Sequence, residues 1–119
     1  MIHHVALEIH ERDADACVDF WRLLGFEEVE PPGSLSERSR WVQRDRTQVH
    51  LMYADDPVVP PDGHTAVVAP DGHYDACLRR LHAAGFTPDP RPEHWGSPRA
   101  FVRGPAGHRV EVMAFPPGV

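Results

Sequence analysis

The chain has no apolar run approaching the roughly 20 residues needed to cross a bilayer. It also lacks a stripe of basic side chains of the kind that grips a polyanion. The first absence removes a membrane helix. The second, with a formal net charge of −6 and a pI near 5.8, removes nucleic acid as an expected partner. MIHHVALEI does not read as a signal peptide, because His3 and His4 interrupt its apolar residues, so a cytoplasmic protein is expected. Cysteine is scarce: Cys17 and Cys77 have no Cys-x-x-Cys neighbour, which argues against a redox pair or a nucleophile. The sequence leaves a disulfide open, but two small buried residues facing a sheet is the better reading.

What is present is ordinary for a globular chain, with 41% hydrophobic and 25% charged residues. At 119 residues it makes one compact domain or two half-domains sharing a core. The second option is favoured by an internal repeat. His4 to Phe26 aligns without a gap on His64 to Phe86, with seven identities: His4/His64, Ala6/Ala66, Asp15/Asp75, Ala16/Ala76, Cys17/Cys77, Gly25/Gly85 and Phe26/Phe86. Further on, Val49–Ala54 echoes Val110–Phe115 one residue out of step, which pairs His50 with Glu111. A unit of about 60 residues buries only roughly 60% of its unfolded surface, so each copy needs the other, or a second chain, to complete a core.

Within each copy the hydrophobic period changes from two to 3.6 and back. His4–Ile9 alternates as a strand, with Val5, Leu7 and Ile9 on one face. Asp13 stands where an N-cap belongs, and Ala14, Cys17, Val18, Trp21 and Leu24 form a helical apolar stripe that Gly25 ends. A short strand over 26–30 leads through Pro31-Pro32-Gly33 and a polar loop to a hairpin, 39–43 with 47–54. The second copy repeats this order: a strand over 64–68, a helix over 74–84 closed by Gly85, a short edge strand over 87–91, then 99–103 paired with 108–115. The expected fold class is α+β. A single domain of 1–119 would comprise two βαβββ modules, 1–56 and 62–119, joined by a proline-rich linker at 57–61 and forming curved mixed sheets around a cleft.

Strand parity assigns faces, since a one-residue slip would exchange every side chain. Val49, Leu51 and Tyr53 should cover the helix, which leaves Gln48, His50 and Met52 opposite. In the last strand Val110 and Val112 pack, with Arg109, Glu111 and Met113 opposite. His4 and His64 fall on the same non-helix face. Three imidazoles and a carboxylate are then candidates for one divalent metal: Zn, Ni, Fe, Co or Mn. A carboxylate such as Glu111 buried without a partner would cost several kcal/mol. The other histidines, His10, His73, His82, His94 and His108, are expected in loops or on exposed positions. Trp41, Trp95 and Phe101 are candidate pocket walls, with Trp95 in His94-Trp95-Gly96 either on a lid loop or as an ordinary loop anchor. Arg99 and Arg109 are candidate partners for an anionic group.

The strand–helix–three-strand repeat, the helix ends Leu23-Leu24-Gly25-Phe26 and Ala83-Ala84-Gly85-Phe86, and the segment GPAGHRVEVMAF resemble the vicinal oxygen chelate superfamily of glyoxalases, bleomycin-resistance proteins and extradiol dioxygenases. The resemblance covers essentially the whole chain. It implies metal ligands on the first and last strand of each module, at His4, His50, His64 and Glu111. It departs from glyoxalase I, which carries an acid where His50 stands. The activity implied is a metal-dependent lyase or isomerase acting on a small substrate with vicinal oxygens, with Glu111 or Glu8 moving a proton. The alternatives are an Fe(II)-dependent dioxygenase and a non-catalytic protein that binds an aromatic drug-like ligand. Many short members of the family pair as homodimers, and the same is expected here.

Overall fold

The computed structural model describes residues 1–118. Their contacts fall into two compact units, Met1–Val59 and Pro60–Val119. The first unit runs β1 (His4–Ile9), α1 (Ala14–Leu23), β2 (Glu27–Val29), β3 (Ser39–Arg44) and β4 (Thr47–Tyr53). The second runs β5 (His64–Val68), α2 (Tyr74–Ala83), β6 (Asp89–His94), β7 (Ser97–Arg103) and β8 (Arg109–Met113). Each is a βαβββ module with a four-stranded mixed sheet, in the orders β1-β4-β3-β2 and β5-β8-β7-β6. The first strand pairs parallel with the last, and the remaining pairs are antiparallel.

Both helices end the same way, and the repeated Gly-Phe explains why. Phe26 N–H bonds the Trp21 carbonyl and Gly25 N–H that of Arg22, each at 3.0 Å; Phe86 to Leu81 and Gly85 to His82 repeat these at 3.0 Å. This is the Schellman arrangement, which needs a left-handed residue at the Gly position. Gly25 and Gly85 supply it, with φ of 90° and 97°. In the first module the accompanying apolar contact is an edge-on meeting of the Trp21 and Phe26 rings, 5.1 Å between centroids.

Alternation holds in both sheets. Val42, Val49, Leu51 and Ile9 are buried in the first module with the α1 stripe of Ala14, Cys17, Val18 and Trp21; Ala100, Val102, Val110 and Val112 are buried in the second with Cys77 and Leu81. Cys17 and Cys77 are buried thiols and form no disulfide.

Several local expectations are corrected. Asp13 makes no side-chain cap; a 3₁₀ turn over Glu11–Asp13 feeds the chain into α1 instead. The loop after Pro32 is also a 3₁₀ turn, Gly33–Glu37. The edge strand β6 lies at Asp89–His94 rather than 87–91, and its register with β7 slips between Arg91 and His94, which accommodates Pro90 and Pro92. His108 is buried, not solvated, because it stands at the entry to β8. Trp95 lies in no lid loop. It occupies a two-residue hairpin turn with Gly96, at φ of 41° and 77°, between the paired His94 and Ser97.

Candidate functional site

Both sheets present the same row of residues on the face opposite the core. In the first module β1, β4 and β3 align Ala6, His50 and Trp41; in the second, β5, β8 and β7 align Ala66, Glu111 and Phe101. The echo that paired His50 with Glu111 is therefore a structural equivalence. Alanine on the first strand leaves room for the ring of His4 or His64 beside the central side chain, and an aromatic residue walls its other side. His4 and His64 enter one pair further along, opposite Gln48 and Arg109.

In the first module this row is an aromatic ladder. Trp41 stacks on His50 with centroids 3.7 Å apart and planes 3° from parallel; His4 covers the other face of His50 at 4.1 Å and 14°. His50 is buried, and its Nε2 donates to Gln48 Oε1 at 2.8 Å. The Gln48 amide in turn donates to Gln43 Oε1 at 2.7 Å, and Gln43 to the Asp45 carbonyl at 3.1 Å. That chain fixes the tautomer and leaves Nδ1 as the lone pair of the ring. Burial first, and then the neighbouring imidazoles of His4 and His3, lower the His50 pKa below its ordinary value of 6.5, which favours the neutral ring at pH 7. His4 is exposed, with its Nδ1 2.9 Å from that of His3. Glu8, also exposed, accepts the Val58 N–H at 3.4 Å. Met52 lies between Glu8 and Ser39 in register and is half-buried.

In the second module the row carries charge. His64 Nδ1 lies 2.9 Å from the Asp62 carbonyl oxygen and its Nε2 3.1 Å from Glu111 Oε1. Glu111 is 7% exposed, and its other oxygen is 3.7 Å from the Arg99 guanidinium. Phe101 meets the His64 ring edge-on at 5.0 Å. Met113 is buried opposite Arg99. Trp95, half exposed, donates from Nε1 to the Phe115 carbonyl at 3.3 Å and stands apart from this row at its hairpin corner.

His64 and Glu111 are of donor types, imidazole nitrogen and carboxylate oxygen, that suit a divalent metal. Both nitrogens of His64 face oxygen acceptors, whereas a neutral imidazole has a single N–H. Giving that hydrogen to Asp62, in the way a backbone carbonyl fixes a metal-ligating histidine, directs the Nε2 lone pair at the carboxylate. His4 and His50 fit less well as they stand. Their rings are stacked, so an ion in the plane of one lies well off the plane of the other. His4 must rotate before both can ligate. Accordingly, no group of three or more His, Cys, Asp or Glu side chains is gathered around a common point among the described residues.

The model of the Glyoxalase/Bleomycin resistance protein/Dioxygenase superfamily matches residues 1–112, and the chain belongs to that superfamily, the vicinal oxygen chelate proteins. A glyoxalase-family protein from Bacillus anthracis is similar in structure, with a TM-score of 0.84 and 21% identity over 95% of this chain and 93% of its own. The lactoylglutathione lyase of Agrobacterium tumefaciens gives 0.70 and 24% over 95% and 92%. A genomically encoded fosfomycin resistance protein from Listeria monocytogenes gives 0.74 and 17% over 98% and 91%. At these identities the likeness concerns the fold. No curated protein sequence matches the chain. Among the described residues, no helix is long and apolar enough to cross a membrane.

Proposed function

We propose that this protein is a metal-dependent lyase or isomerase of the glyoxalase type, acting on a small substrate that offers two vicinal oxygens. The observation that carries the reading is His64, held by the Asp62 carbonyl on one side and set against the Glu111 carboxylate on the other. Under this proposal His64 and Glu111 are the ligands of the second module, and His4 and His50 those of the first. Zn, Ni, Fe, Co and Mn all suit nitrogen and carboxylate donors. A bound divalent ion would act as a Lewis acid toward the substrate oxygens.

The remaining residues of the row bind, orient and move protons. Trp41 and Phe101 give flat walls that exclude water from one side of each ligand. Gln48 and Met52 line the open face of the first sheet, and Arg99 and Met113 that of the second. Arg99 holds the second oxygen of Glu111 and so limits its rotation. Glu111 or Glu8 accepts and returns a substrate proton; Glu8, being exposed, is free to reorient toward it. The protein is expected to work as a homodimer in the cytoplasm.

A second reading is a non-catalytic binder of an aromatic ligand, favoured by the Trp41–His50–His4 ladder, which presents a ready stacking surface. Elemental analysis of protein purified without an affinity tag separates the two. About one divalent ion per chain supports the enzyme; metal-free protein that binds an aromatic compound tightly and turns over nothing refutes it. If the metal is iron, oxygen consumption with a catechol would move the chemistry from isomerisation to ring-opening dioxygenation.

A further inference from the structure

We propose that the open face of the second sheet is an oxyanion site, in which arginines grouped around Phe101 bind a carboxylate or phosphoryl group of the substrate. Phe101 lies at the middle of β7, with Arg99 and Arg103 two residues before and after it on the same face. Across the sheet, Arg91 on β6 is paired directly with Arg99, and Arg109 on β8 directly with Arg103. Like charges directly opposite each other in an antiparallel pair destabilise it. Two such pairs on one face, in a chain with a net charge of −6, have no structural rationale.

The first module shows that the fold does not require them. The partners equivalent to Arg103 and Arg109 are Gln43 and Gln48, which pair across β3 and β4 through a neutral hydrogen bond of 2.7 Å. The strand pairing is the same, and at these positions only the second copy carries charge. Its compensation within the module is incomplete. Asp89 takes Arg91 at 2.9 Å, and Glu111 stands 3.7 Å from Arg99 while already sharing its other oxygen with His64. Asp62, 93% exposed, reaches Arg109 at 3.3 Å. Arg103 donates to the backbone carbonyls of Gly107 and Pro61, and no ion pair to it is seen among the described residues.

The guanidinium of Arg109 is preorganised. Its carbon lies 3.5 Å from the centroid of Phe101, and its side chain is only 16% exposed. Stacking on a ring leaves the in-plane N–H fork able to meet two oxygens of one anion, the geometry that distinguishes arginine from lysine. The chain contains no lysine at all; its twelve fixed cations are all arginine. Arg91, Arg103 and Arg109 line, with Phe101, Asp62 and Asp89, an open groove of about 560 Å³. A ligand with a planar or apolar body beside its anionic group would use both Phe101 and the arginines.

This assignment rests on the small-molecule reading of that face but not on a metal, so its test uses metal-stripped protein. Isothermal titration with inorganic phosphate and, separately, with benzoate, at ionic strength held constant with sodium chloride, is expected to show saturable binding of at least one. Phosphate alone marks a phosphoryl ligand and benzoate alone a carboxylate. Arg109→Gln is expected to weaken that binding at least tenfold, and Arg91→Gln, at an exposed position, to weaken it by a smaller factor. Arg80→Gln, on an exposed position of α2, should leave it unchanged. Absence of binding by either anion, or an Arg80→Gln effect equal to that of Arg109→Gln, overturns the proposal. Either failure leaves the metal content, and the reading built on it, untouched.

Discussion

Replacing Glu111 with glutamine keeps the shape of the side chain and removes its charge, which separates a structural carboxylate from a metal ligand. In metal-free protein the amide still hydrogen-bonds His64 Nε2, 3.1 Å from the present carboxylate oxygen, in either tautomer. It gives up the ion pair with Arg99, 3.7 Å away with both side chains nearly buried. Metal-free stability should therefore fall by roughly 1–3 kcal/mol. The ion-dependent part behaves differently. At a concentration one hundred times Kd, a ligand that binds only the folded state adds about 2.7 kcal/mol; a loss of roughly 100-fold in affinity reduces that gain to about 0.4 kcal/mol. For a chain of this length the first is a rise in Tm of roughly 10 °C and the second of 1–2 °C. Thermal unfolding of both proteins, stripped and then titrated with Zn or Ni, measures each quantity. An equal ion-dependent rise in wild type and Glu111→Gln would remove Glu111 from the ligand set.

Two further changes test the frame that carries this site. Arg40 grips Glu28 with Nε and a terminal nitrogen and reaches Asp15 at 2.8 Å, and its hydrogen bond is the main reason the Glu28 pKa lies below the ordinary value of 4.5. A depressed carboxylate stabilises the fold above its unfolded pKa and ceases to as pH falls through its folded one. Urea unfolding should therefore find Arg40→Gln less stable than wild type at pH 7, with the gap closing below about pH 4.5; a gap independent of pH would contradict this. Gly85→Ala meets open space but must adopt φ near 97°, so it should lose about 1–2 kcal/mol through backbone strain alone. An unchanged urea midpoint would show that the Schellman turn relaxes freely.

The fold was legible because its signals are local and doubled. Period-two alternation in His4–Ile9 and Thr47–Tyr53, the Gly-Phe after each helix, and a 60-residue offset that the helices Ala14–Leu23 and Tyr74–Ala83 keep without a gap all point to the same module. The misses share a cause. Asp13 has cap chemistry, but a 3₁₀ turn had already supplied the entry to the helix, which local composition does not reveal. Trp95 stands at positive φ in a tight turn set by the pairing of His94 with Ser97, and His94-Trp95-Gly96 alone does not tell such a turn from a longer loop. The prolines of β6 gave its edge position correctly, but the slip in register that admits them moved its bounds.

The site was legible to the level of faces and no further. Parity sets His50 and Glu111 opposite the core, but it carries no information about rotamers. The stacking of His4 on His50, which turns two expected ligands into parallel plates, follows from Trp41 lying against the other face of the same ring. That contact needs the β3–β4 register, which a hairpin turn fixes and a hydrophobic pattern does not. The arginine pairs were hidden for the same reason, since Arg91 and Arg99 are eight residues apart in sequence and become neighbours only once β6 and β7 align. Comparison of the copies then separates what folds the module from what was added to it. Ala6 and Ala66, with Trp41 and Phe101, share the same row, while Gln43–Gln48 in one copy stands where Arg103–Arg109 stands in the other. Since Gln43–Gln48 and Arg103–Arg109 occupy the same register of the same strand pair, the module folds with either, and under the oxyanion proposal the charged pair is assigned to a ligand.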